Sequence, residues 1–534
     1  MTASEQLAQF AAGSKALPKL CREYKKERAT VHLKELVGGA LSFYAAAAVA
    51  KTGGVHIFVA EDRDAAAYLL NDFYNLLDEK QVYFFPSSYK RSAAYGAEDA
   101  QGVVQRTTAM NAVRGFTKGY LVVCTYPEAL AERVVDAATL QRDTIAVKLG
   151  DKISIAVLED ALADANFTRV DFVYEPGQYS VRGGIVDVFS YSESKPYRID
   201  FFGDEVDSIR RFNISSQLSA DKLDRVEIVP NLNAGEAPRV SFVQFAGSSA
   251  TCWFYDADYV LRRVNDLRRK VLADMEEPGQ IDRLLTSRNV LLRDMAGNSV
   301  VALRDNLPER PATAAVVFDT APQPKFNKNF EMLADDMIRN SLRGYATYIL
   351  SENKVQVERL ENIFHQIGRG QAAVRSLSVT LHEGFVDNDL KLCLYTDHQI
   401  FDRYQRYRIN GEIRRDEQMT VAELNQLRPG DYVVHIDHGV GRFDGLVKIN
   451  ENGKVHEAIK LVYKDGDVLF VNVHSLHRIS RYKSGDGEPP KVYKLGNGAW
   501  QKLKNAAKKA VKDISRELIA LYAKRKASKG FAFT

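Results

Sequence analysis

Few side chains in this sequence stand at spacings that support catalysis. Gly38 and Gly39, within ELVGGALSFYAAAAVA (35–50), sit where a phosphate loop would open a helix. Such a loop needs glycines so that backbone N–H groups can cradle phosphate, a Lys for the β/γ oxygens and a Ser or Thr for magnesium. Ala40 to Phe43 contain no Lys, so the scaffold of a nucleotide loop stands there without its chemistry. Gly439, Gly441 and Gly445 nearly spell a dinucleotide fingerprint, but the third glycine is one residue late and a strand pattern follows it; tight turns explain them better. His435, His438, His474 and His477 form two His-x-x-His pairs. On strands that spacing puts the rings on opposite faces, and neither pair has cysteine support, so no metal site is expected. Cys21, Cys124, Cys252 and Cys393 are far apart and read as isolated thiols of a reducing compartment. No Ser–His–Asp or Cys–His pattern has a recognisable context. The residues point to binding work, with no catalytic residue, cofactor or metal of their own.

Two segments have the chemistry of protein recognition. Arg182 precedes Gly183-Gly184, and Arg198 and Phe202 lie on the following strand YRIDFF. Two arginines and a phenylalanine on one outward hairpin face suit an interface, since Arg and aromatic residues dominate binding hot spots; a solvated sheet face is the alternative. GLVKIN (445–450) is short and apolar and is followed by ENGK, as an edge strand would be. An open edge offers unpaired N–H and C=O groups to a partner strand.

The elements that must position these residues alternate in kind. Between 30 and 125, the buried-strand patterns VHIFVA, QVYFFP and YLVVCTY are separated by helical stretches, which predicts a parallel sheet with helices on both faces. From about 140 to 212, alternating strands around Gly177, Gly183-Gly184 and Gly203 predict antiparallel β structure. Mixed α/β follows, with Val260, Leu261, Val264, Leu267, Val271 and Leu272 on one apolar helix face. TAPQPKFNKN (320–329) reads as a linker, and a small α/β module runs on to LKLCLYT. RYQRYRINGEIRRDEQ (403–418) reads as a second linker. Residues 427–482 read as a compact β-barrel or sandwich with a hairpin at Lys464 to Asp467. A long helix closes the chain, with Trp500, Leu503, Ala507, Val511, Ile514, Leu518 and Leu521 along one stripe.

With 534 residues, 45% hydrophobic and 27% charged, the composition is that of a multidomain globular chain. No apolar run approaches a membrane span, and the N-terminus has no signal-peptide pattern, so a cytoplasmic location is expected. The net charge of +4 is unevenly spread. From Lys491 to Thr534, twelve basic residues face only Asp513 and Glu517, leaving that tail at +10 and the first 490 residues at −6. The tail suits a polyanion, an acidic neighbouring domain or a solvated helix face.

EPGQYSVRGGIVDVFSYSESKPYRIDFFGDEVDSIRRFN (175–213) resembles the domain shared by the excision-repair protein UvrB and the transcription-repair coupling factors (Mfd). PGDYVVHIDHGVGRFDGLVKI…EAIKLVYKDGDVLFVNVHSLHRISRY resembles that family's RNA-polymerase-interacting module, which is related to CarD. KLGNGAWQKLKNAAKKAVKDISRELIALYAKRKASKGFAF is similar to the helix that joins this module to the translocase motor. The resemblance implies a UvrB-like α/β domain (1–135 and 213–320) with an inserted antiparallel UvrA-binding β domain (136–212). It further implies a small α/β module (321–410), a linker (411–425), a small CarD-like β-barrel (426–490) and a linker helix (491–534). The function implied is an adaptor that binds the β subunit of stalled RNA polymerase and recruits UvrA. ATP, magnesium and most double-stranded DNA contact would belong to a motor expected to begin after GFAFT, and a monomer is expected. By position, Arg182, Arg198 and Phe202 would contact UvrA. Ile449 would dock on the polymerase, with Leu446, Val447 and Lys448 on the same strand. The alternative is a UvrB-like ATPase or helicase subunit acting on damaged DNA, against which the missing phosphate-loop Lys argues.

Overall fold

The computed structural model describes residues 2–89, 99–214, 218–232, 237–275, 278–403, 405, 407–409, 424, 427–435, 438–451, 454–472, 479–482, 490, 492–495 and 500. The expected C-terminal helix (Trp500 apart), the 411–425 linker (Leu424 apart), His474 and His477 lie outside them. The chain divides into two compact units, one of residues 1–146, 190–194 and 227–413, the other of 147–189, 195–226 and 414–534.

The first unit is built on a seven-stranded sheet in the order Ala314–Val317, Thr30–Lys34, Ser299–Ala302, Thr251–Phe254, Gly54–Val59, Tyr120–Thr125, Val82–Phe84, with every pairing parallel. Val55, Ile57, Phe58 and Val59 are all buried, as are Leu121 to Cys124, because helices cover both faces and leave no polar side to alternate with. Helix Ala40–Thr52 is alanine-rich and buried through most of its length. Helices Arg63–Leu76 and Ala257–Asp274 begin where Asp62 and Asp256 accept hydrogen bonds from the amides of Ala65 and Tyr259, each at 2.8 Å. On the second of these, Val260, Leu261, Val264, Leu267 and Val271 are buried, whereas Leu272 sits at the rim and is exposed. A second, five-stranded sheet of this unit runs Thr320–Pro322, Phe385–Asp387, Leu392–Thr396, Ala346–Leu350, Ser376–Leu377. Its first strand lies inside the segment expected to be a linker. Pro322 is tolerated because this strand is at the sheet edge, where a missing N–H breaks no ladder.

The second unit holds two antiparallel systems. A six-stranded sheet runs Ser219–Leu223, Glu205–Phe212, Tyr197–Phe202, Ile185–Val188, Gln178–Arg182, Thr168–Arg169. It continues past residue 212, where composition alone marks an end, because Ile209 pairs with Leu223 and Phe212 with Ser219. Tyr179, Val186, Val188, Tyr197 and Ile199 fill its buried face. The 427–482 region forms a five-stranded sheet in the order Val468–Asn472, Lys454–Val462, Gly439–Glu451, Tyr432–His435, Ile479–Arg481. Among the described residues its two outer strands do not pair, so the strands form a sheet rather than a closed barrel. At the Lys464 to Asp467 hairpin, Asp465 and Gly466 both take positive φ, as the turn demands. The core here is Leu427, Val433, Phe443, Ile459, Leu461, Tyr463 and Val471, and Phe172 and Tyr174 pack against it.

Candidate protein-binding surfaces

The arginine surface is built by strand register. Asp187 pairs with Ser180 on one side and Arg198 on the other, and Arg182 pairs with Ile185. Both arginines therefore converge on Asp187, whose carboxylate is 1% exposed. Arg198 grips it with both arms, Nε to Oδ1 at 2.7 Å and Nη2 to Oδ2 at 2.9 Å, while Arg182 donates to Oδ2. Each guanidinium also lies over a ring, Arg182 on Phe172 at 4.7 Å and Arg198 on Phe212 at 4.4 Å. Burial alone would lower the pKa of Arg198, but the hydrogen bonds and charge of Asp187 hold it above the ordinary guanidinium value. Asp200 repeats the arrangement one step along, accepting from Arg210 and Ser208.

Phe202 follows Arg198 by four residues, on the same strand face, and is 84% exposed at the hairpin tip. The sheet thus brings the three predicted residues to one surface but gives them different work. The arginines are held in place by an internal carboxylate, whereas the Phe202 ring stands exposed. Sequence reasoning missed Asp187, Phe172 and Phe212. The one signal for Asp187 was an acidic residue inside the apolar run IVDV.

The second surface is one edge of Gly439–Glu451. Its first residues, Gly439 to Arg442, pair with Tyr432–His435; from Arg442 to Glu451 the strand pairs with Lys454–Val462. Among the described residues, Leu446 to Glu451 are therefore laddered on one side, with Ile449 opposite His456, Lys448 opposite Glu457, Val447 opposite Ala458 and Leu446 opposite Ile459. Leu446 is 42% exposed and Val447 half-buried. The changeover is made by a bulge, since the register slips between Phe443 and Leu446 and Gly445 takes a φ of +112°. A β-branched residue resists that conformation. Gly445→Val is expected to destabilise this sheet by about 1–3 kcal/mol, read as lost amide-exchange protection in 446–451 with the seven-stranded sheet unchanged.

The degenerate phosphate loop has a structural occupant. The backbone of Glu383 and Gly384 crosses Gly38 and Gly39 so closely that a Cβ on Gly39 would sit 2.1 Å from the Glu383 carbonyl oxygen. The two glycines make room for a chain segment where a nucleotide loop would make room for phosphate. Beside them Asp72 is buried, accepting from Ser42 Oγ at 2.7 Å and from the His382 amide at 2.6 Å. Burial pushes its pKa from 3.8 to about 7, partly offset by those two hydrogen bonds. A carboxyl whose folded pKa is raised contributes most to stability below its unfolded pKa and loses that contribution as pH climbs through the folded one. Asp72→Asn is therefore expected to gain on the parent by about 2–3 kcal/mol between pH 5 and pH 8, measured by denaturant titration at the two pH values.

Other sequence motifs resolve into structure. His435 is buried, and its ring lies 4.8 Å from that of His438 rather than on the opposite face. No group of metal-ligating side chains occurs among the described residues. All four cysteines are buried and free. No helix among the described residues is long and apolar enough to cross a membrane.

The two surfaces fall in two recognisable domains. The sequence model of the UvrB interaction domain matches residues 145–233, and that of the CarD-like/TRCF RID domain matches 427–483. The Bacillus subtilis (strain 168) and Escherichia coli (strain K12) transcription-repair-coupling factors are each 25% identical to this chain, over 94% of it and 49% of their own length. The similarity to the transcription-repair-coupling factors runs along almost the whole of this chain. The Haemophilus influenzae factor is 26% identical over 76% of the chain and 41% of its own length. The chain spans about half the length of the coupling factors it matches.

Proposed function

We propose that this chain is the client-gripping part of a transcription-repair-coupling factor, a monomeric, cytoplasmic adaptor that holds RNA polymerase and a repair protein at separate surfaces. The observation that carries the reading is the coincidence of sites and domains. Arg182, Arg198 and Phe202 fall inside the UvrB interaction match, and Leu446, Val447, Lys448 and Ile449 fall inside the RID match. In this reading UvrA is captured on the arginine sheet face, with Phe202 as the apolar anchor. The polymerase β subunit is captured by strand addition along 446–451, where main-chain hydrogen bonds set the register and side chains select the partner.

ATP hydrolysis and DNA translocation belong, in this reading, to the remainder of a full-length factor. The Gly38-Gly39 loop takes no part, lacking a Lys and crossed by the Glu383–Gly384 backbone. The experiment that tests the repair-protein surface is Phe202→Ala. UvrA affinity is expected to fall by about 2 kcal/mol, roughly thirtyfold, with an unchanged melting temperature and unchanged polymerase affinity. Undiminished UvrA binding would remove this surface from the account.

A further inference from the structure

Strands Gly54–Val59 and Thr251–Phe254 lie side by side, in register from Thr251 with His56 to Phe254 with Val59. Their outgoing connections part. Helix Arg63–Leu76 leads toward Val82–Phe84 on one side of the sheet, and helix Ala257–Asp274 leads back toward Ser299–Ala302 on the other. An open parallel sheet has a crevice at such a point, outside the carboxyl ends of its strands, and it is there that α/β proteins of this kind hold ligands. Here the crevice is a cavity of about 340 Å³, walled by Phe58 to Glu61, Trp253 to Tyr255 and the Gly38 to Ser42 segment. Its size is that of a small-molecule site, and its walls are mostly apolar with a few polar groups, as such sites require.

The charges in the cavity exclude the ligand that this position usually takes. Among the described residues, Glu61, Asp72 and Glu383 line it, and no Lys or Arg does. An incoming phosphate would meet carboxylates with no cation to offset them, on a loop whose amides are already crossed by Glu383 and Gly384. The same charges favour the opposite sign. Trp253 and Phe58 lie among its lining residues, stacked on each other with ring centroids 4.9 Å apart and almost wholly buried. An apolar lining of this kind suits an apolar body.

We infer that this cavity binds a small organic cation, an amine carried on an aromatic or apolar body. The body fills the space against Phe58 and Trp253, and the ammonium group is held by Glu61 and Glu383, both of which are exposed at the rim. The cavity lies in the first compact unit, and both candidate surfaces lie in the second.

Trp253 reports on it directly. In the full chain carrying Trp500→Phe, Trp253 is the sole indole. Titration with 2-phenylethylamine is expected to change its emission saturably, whereas phenylacetate and Mg-ATP leave it unchanged. In the Glu61→Gln, Glu383→Gln double variant, amine affinity is expected to fall about tenfold or more, with the melting temperature retained because both side chains are exposed. Calorimetry on the parent chain checks the affinity without the fluorophore. A flat amine titration, an equal response to phenylacetate, or an affinity untouched by the double substitution overturns the assignment.

Discussion

Replacing Asp187 with alanine is expected to cost the arginine-bearing sheet about 3–5 kcal/mol. The carboxylate is almost wholly buried and is shared by Arg182 and Arg198, so its removal takes an ion pair from each of them at once. Breaking a buried pair by deleting one member costs far more than the net worth of the pair, because the desolvation of the surviving charge is no longer offset by it. Amide-exchange protection should fall in Ile185–Val188 and Tyr197–Phe202 and hold in the seven-stranded sheet, since the two lie in different compact units. Protection unchanged in the first two strands would show that Asp187 does not organise the surface. Arginine-to-alanine changes consequently disturb this sheet as well as any partner. Phe202→Ala separates the two effects.

Ile449→Arg is expected to abolish binding to the polymerase β fragment, with a loss of at least about 3 kcal/mol or more than a hundredfold in Kd. Among the described residues, Ile449 stands opposite His456 on a stretch of strand laddered on one side only, where an added partner strand would seat its neighbours against an apolar position. An arginine there carries a charge into a desolvated contact. Unfolding of the RID sheet and UvrA affinity should both remain those of the parent. Retained polymerase binding would refute the docking assignment.

How much of this was legible in the sequence depends on how local each feature is. Runs such as VHIFVA and YLVVCTY declare buried parallel strands because burial on both faces leaves a continuous apolar signal. The Lys464 to Asp467 turn is legible because its chemistry lies within four residues. Thr320–Pro322 hid inside a proline-bearing segment because its strand character comes only from Phe385–Asp387, more than sixty residues away. Arg182, Arg198 and Phe202 could be named from the sequence, but the commitment of both arginines to Asp187 could not, because cross-strand register decides it. The edge at GLVKIN was legible as a short apolar strand. That it continues a strand already paired on both sides near Arg442, with a bulge at Gly445 releasing one edge, is a matter of three-strand geometry. Gly38 and Gly39 were legible as the glycines of a phosphate loop without its Lys; the chain segment that crosses them was not.

The central claim is that two client proteins are held at two separate surfaces. Its most direct test is one matched set of affinities, for UvrA and for the polymerase β fragment, measured on the parent chain, Phe202→Ala and Ile449→Arg. A crosswise pattern is predicted, in which the phenylalanine change weakens only the repair protein and the isoleucine change only the polymerase. Either variant losing both clients, or neither losing any, would contradict the account.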